Sequence, residues 1–139
     1  MDKILNAFTS KKHLRNFDCI QIKNGFAYAT DSFRAIKYKL DSDSNIDELN
    51  ALATLGKVKL ISESDEYPNI DMLIPNDETI AGYTKVKLNA KYLAELAKAF
   101  ASMTKKDTTM EMYIPKDLYK PLVFKKGETT ALLMTISKD

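Results

Sequence analysis

Four groups of side chains in this 139-residue chain are of types that could do chemistry. His13, the only histidine, stands between Lys12 and Leu14 with no His, Cys or Glu at ligand spacing, and reads as a loop or surface residue. Cys19, the only cysteine, would need a stabilised thiolate to act as a nucleophile. It precedes an apolar run, no charge pattern marks it as activated, and it reads as a small core residue. Glu63, Asp65 and Glu66 could hold a hard cation, but they lack the alternating register and the glycine of a calcium loop. They read as a solvated acidic loop. Asp31 and Arg34 could form an acid–base pair; a turn-capping aspartate with a local salt bridge fits them better. None of the four glycines falls at the spacing of a P-loop or a dinucleotide fingerprint. The expectation is a protein that is not an enzyme, with no metal and no cofactor.

The elements around these residues follow from periodicity. Asp2 to Phe8 reads as a short helix with Ile4, Leu5 and Phe8 on one face. Residues 20–23 and 26–29 read as strands joined by Asn24-Gly25, the strongest short-range hairpin signal, because both residues tolerate positive φ. Ala35 to Leu40 alternates and reads as a third strand. A polar stretch, Asp41 to Asn45, leads to a helix over Ile46–Leu55 that buries Leu49, Leu52 and Leu55 and stops at Gly56. Val58–Ile61 reads as a strand. Pro68 and Pro75 bracket a short extended piece, since each restricts the residue before it. Val86-Lys87-Leu88 reads as a strand entering the clearest helix, capped by Asn89, with Leu93, Leu96, Ala97 and Phe100 on one face. Strands follow at 110–114, 122–125 and 129–136, the last two joined by Lys126-Gly127. The expected fold is therefore α+β: a single domain over 1–139 with two similar halves, each a helix followed by an antiparallel meander.

Composition agrees with a globular chain: 45% apolar and 29% charged residues. A lone cysteine, no apolar signal core after Met1 and no membrane-length apolar run lead to the expectation of a soluble cytoplasmic protein. Net charge is +2, but it is unevenly spread. Residues 1–40 hold 8 basic and 3 acidic side chains, a balance of +5; residues 41–80 hold 2 and 10, a balance of −8; residues 81–139 hold 11 and 6, a balance of +5. For any single cluster a solvated surface is the plainer reading; the layout as a whole suits a molecule with one phosphate-facing side.

One pattern is more specific. Ala29-Thr30-Asp31-Ser32-Phe33-Arg34-Ala35, between two strands, resembles the Ala-Thr-Asp-Gly-His-Arg-Leu motif of bacterial sliding clamps, the beta subunits of replicative DNA polymerase. Tyr67-Pro68-Asn69 through Pro75 resembles the clamp's Pro-Asp-Tyr linker, and residues 86–93 resemble the segment that starts a clamp helix. Pro121-Leu122-Val123-Phe124 and the tail through Ile136 resemble the family's final hairpin and closing Met-Pro-Met. Ser32-Phe33 stands in place of Gly-His, Thr135 in place of the tail proline, and one domain in place of three.

The resemblance implies a clamp-like fold and a shallow groove for peptides carried by replication proteins. The implied groove residues are Thr30, Phe33, Arg34 and Ala35 from the first motif, Pro68 and Leu73 from the linker, and Met134 and Ile136 from the tail. It also implies weak, sequence-independent contact with double-stranded DNA through Lys3, Lys11, Lys12 and Arg15 near the first helix and Lys91, Lys98, Lys105 and Lys106 around the main one. Encircling DNA would take a homo-oligomer of about six copies joined head to tail. The implied role is a small clamp-like replication accessory of a phage or mobile element. Two alternatives stand beside it: a monomeric peptide-binding or decoy module, and a sequence-independent nucleic-acid-binding protein of another fold.

Overall fold

The computed structural model describes residues 2–10, 16–41, 43–117 and 119–136, with backbone only for Asp2, Lys3, Asp43 and Ser44. The chain is α+β and divides into two compact units, Met1–Asp77 and Glu78–Asp139. They are called units 1 and 2 below.

Unit 1 begins with α1 (Asp2–Asn6), then β1 (Cys19–Lys23), β2 (Phe26–Thr30) and β3 (Ala35–Lys39), an antiparallel meander. Asn24 and Gly25 have φ of 52° and 80°, the two positive values that a tight hairpin turn between β1 and β2 requires. Next comes α2 (Asp43–Thr54), starting three residues before the expected Ile46. It ends in a glycine-stopped turn. Gly56, at φ 71°, donates to Ala53 O, and Lys57 donates to Leu52 O. That stop leaves Leu55 exposed, contrary to the expected burial, while Leu49 is fully buried.

β4 (Lys59–Ser62) then adds to the far edge of the sheet, giving the order β3-β2-β1-β4. It runs parallel to β1, because α2 is a crossover that returns the chain to the end from which β3 started. Ile20, Ala27 and Ala29 line one sheet face and bury with Leu5, Leu49 and Val58.

The opposite face of β1 and β2 is covered too, by the segment after β4. This segment corrects an expectation. Between Pro68 and Pro75 the chain is not extended throughout but forms a 3-10 helix, Ile70–Leu73. Asn69 starts it, its side chain accepting from Met72 N at 3.3 Å. Proline fixes its own φ and restrains the residue before it, but not the residues beyond; Ile74, before Pro75, is indeed extended.

A short α3 (Asp77–Ala81) contains the boundary between the units. Unit 2 is then a helix, α4 (Ala90–Met103), followed by β5 (Glu111–Tyr113), β6 (Leu122–Lys126) and β7 (Thr129–Leu133), an antiparallel sheet in the order β5-β6-β7. Phe100, Leu122, Phe124 and Leu133 form its core, flanked by Leu93 and Leu96 on the inner stripe of α4. The strand expected at 86–88 does not form a ladder. Among the described residues one backbone bond, Ile136 N to Lys87 O at 2.8 Å, ties it to the tail, and Val86 and Leu88 still pack on the core. Among the described residues no helix is long and apolar enough to cross a membrane.

Candidate functional site

Unit 2 has a concavity of about 770 Å³ between the first half of α4 and the C-terminal tail. Tyr92, Glu95 and Leu96 line it from the helix, and residues 132–136 line it from β7 and beyond. Its walls follow from local folding. Asn89 caps α4, its side chain accepting from Tyr92 N at 3.2 Å, which sets the helix start and the position of Tyr92. Leu93 and Phe100 turn inward, so Tyr92 is left on the outside. The Ile136–Lys87 backbone bond holds the tail alongside the residues that lead into α4. Met134 (62% exposed) and Ile136 (44% exposed) therefore sit in the groove with their side chains available. Among the described residues Glu95 is the one charged side chain that lines it. Tyr92, Leu96 and Leu132 were missed in the sequence, where Leu96 read only as core and Leu132 only as strand.

The first motif belongs to unit 1, where it builds the β2–β3 turn. Thr30 is 6% exposed; its hydroxyl donates to Arg34 O at 2.7 Å and accepts from Ser32 N at 3.2 Å. Thr30 thus shapes the turn from behind and offers no surface of its own. Asp31 caps the turn, accepting from Phe33 N at 3.0 Å and Arg34 N at 2.8 Å on one oxygen. Its other oxygen takes Arg34 Nε and Nη2 at 3.1 and 2.8 Å. The Arg34 guanidinium and these backbone donors hold the Asp31 carboxyl down at about 2. Arg34 also donates to Ala7 O at 2.7 Å and lies over the Phe8 ring. Ser32, which replaces the motif's glycine, takes the left-handed φ of 78°. Phe33 is left at the tip, 90% exposed, and Ala35 opens β3 with an exposed side chain.

The linker motif is the segment that covers the second sheet face of unit 1. Tyr67 donates to Cys19 O and Tyr28 O at 3.3 and 3.4 Å, and burial pushes its hydroxyl far above the usual range. Asp71 is the main tie. It accepts from Tyr28 Oη at 2.9 Å and pairs with Lys37 at 2.9 Å and Lys23 at 3.0 Å. Bonds from Lys37, Lys23 and Tyr28 hold its carboxyl down at about 2. Asp71 was missed as a tie, although it is the only acidic residue between Pro68 and Pro75. Pro68 is half-buried in this segment and Leu73, at 74%, is exposed.

Of the lysines expected to meet DNA, Lys91 and Lys98 are exposed on α4, and Lys105 and Lys106 are exposed just past its end. Lys11, Lys12 and Arg15 lie outside the described residues, as does His13, and Lys3 is described by its backbone alone. Cys19 is fully buried; burial first, and the neighbouring Asp18 second, push its thiol up to about 11, the opposite of activation. Among the described residues no three His, Cys, Asp or Glu side chains group as metal ligands do. Comparison of the chain with protein-family models, with curated proteins and with solved structures finds no match.

Proposed function

We propose that the chain is a non-enzymatic docking protein of the sliding-clamp kind. It takes short peptides from replication proteins on the α4–tail groove and touches duplex DNA weakly and without sequence preference through unit 2 lysines. The observation that carries this reading is the position of Met134 and Ile136. The clamp resemblance assigned both to a peptide groove, and both line an open apolar concavity of about 770 Å³. Leu, Met and Tyr walls suit an apolar anchor such as Leu or Phe, and methionine adapts to its shape. Glu95 on the wall favours an anchor flanked by a neutral or basic residue. A helix followed by an antiparallel three-stranded meander in each unit supports the clamp-like fold that belongs to this proposal. The test is titration with a short peptide bearing a Leu-Phe anchor, followed by NMR shifts of the tail amides, with Met134→Glu as the control.

A second version drops the ring. The described residues that line the groove all belong to unit 2, so a single chain can present it without a second copy. Native mass spectrometry separates the two versions: a closed oligomer supports a clamp that encircles DNA, and a monomer at high concentration supports a stand-alone peptide-binding or decoy module.

A further inference from the structure

Unit 2 has a second concavity, of about 600 Å³, where the chain leaves α4 and meets the β6–β7 turn. Lys105 and Lys106 line it from the loop after the helix, and Lys126 and Gly127 line it from the hairpin. Unit 2 as a whole holds 11 basic and 7 acidic residues, a balance of +4. The two acids on this wall are Asp107 and Glu128. The Asp107 carboxylate is turned to Thr109, taking its N–H at 2.9 Å and its hydroxyl at 2.5 Å. The Asp107 carbonyl accepts from Lys126 Nζ, which ties the hairpin lysine to the loop that carries the other two. Among the described residues no acidic partner engages Lys105 or Lys106. Gly127 has φ 57° and only open space where a side chain would begin, so an approaching backbone meets no obstruction there.

Lysines after a helix also offset its C-terminal dipole. That role needs neither a concavity nor a third lysine from a strand. We infer that this concavity is a contact site for the phosphate backbone of duplex DNA, with Lys105, Lys106 and Lys126 as its cations. The inference rests on the DNA contact proposed above for the identity of the ligand, and moves its centre from the α4 face to the end of the helix and the hairpin. Lys126 reads in the sequence only as part of the Lys126-Gly127 turn, not as a DNA contact.

The test uses the whole chain and a labelled duplex of about 20 base pairs, with fluorescence anisotropy read from about 50 to 200 mM salt. Three phosphate contacts, at about 0.9 each in the log–log slope, weaken binding on the order of 40-fold across that range. Lys105→Gln with Lys106→Gln lowers the slope by about 1.8, and Lys126→Gln lowers it by about 0.9, in variants whose circular dichroism matches the parent. If the double variant keeps the full slope while Lys91→Gln with Lys98→Gln loses it, this site is overturned and DNA contact on α4 survives. If the parent does not bind the duplex even at low salt, both fail, and the peptide groove is judged by its own titration.

Discussion

Replacing Phe124 with alanine is expected to remove much of the stability of unit 2. Phe124 is fully buried in the middle strand of the β5-β6-β7 sheet, opposite Met112 on β5 and Ala131 on β7. Truncating a buried phenylalanine costs about 3–5 kcal/mol, because the lost transfer energy adds to the cavity left behind. Unit 2 spans residues 78–139. At the usual stability per residue, a unit of this size holds only about 3–9 kcal/mol. The variant should therefore lose about a third or more of the urea needed to unfold the unit. Hydrogen exchange with mass spectrometry reads this directly, in peptides covering residues 122–126 and 129–133. Met112→Ala is the control: its side chain is half exposed, and its change should stay under about 1 kcal/mol. Unaltered protection over β6 in Phe124→Ala, or an equal loss in Met112→Ala, would refute the reasoning that this cluster is the core of the unit.

Ser32→Gly should raise the thermal midpoint of unit 1. Relief of a left-handed residue is worth about 1–2 kcal/mol and the looser unfolded chain returns about 0.4–1, so a net gain of roughly 0.5–1 kcal/mol is expected; a fall would argue against the strained turn. Asp31 and Asp71 should make unit 1 acid-sensitive. Both carboxyls sit at about 2 in the fold against an ordinary 3.8, so their stabilisation is complete above about pH 4 and is lost as pH falls through about 2. Melting curves between pH 2 and pH 6 should show that decline, shallower in Asp71→Asn; a slope unchanged by this substitution would remove Asp71 from the account. Asn89→Ala should cost about 1 kcal/mol by uncapping α4, and should loosen the Tyr92 amide in hydrogen exchange.

Where local chemistry decides, the sequence was readable. Asn24-Gly25 made the hairpin, Asn89 capped α4, and the stripe of Leu93, Leu96 and Phe100 found the core. Asp31 with Arg34 read as a capped, paired turn, and the structure has both interactions. What escaped depends on tertiary partners. Nothing in Val86-Lys87-Leu88 says that it will meet the tail through Lys87 O and Ile136 N without joining the described sheet. The parallel placement of β4 follows from the length and path of α2, which no alternation pattern encodes. Asp71 sits 34 residues from Lys37 and 48 from Lys23, so its role emerges only when the segment folds across the sheet. Of the residues that line the α4–tail concavity, Met134 and Ile136 stand in the tail that the clamp resemblance drew attention to, whereas Tyr92 and Leu96 depend on which side of α4 meets the tail.

The central claim is that the α4–tail groove takes a peptide. The most direct measurement is a ¹H–¹⁵N NMR titration of the whole chain with a short peptide carrying a Leu-Phe anchor and one basic neighbour. Saturable shifts are expected at Tyr92, Leu96, Leu132, Met134 and Ile136. Burying a methionine contact is worth about 1.5–3 kcal/mol, so Met134→Glu should weaken binding at least about 10-fold while leaving the spectrum otherwise folded. No shift at millimolar peptide, or shifts that avoid these five residues and survive Met134→Glu, would contradict the account.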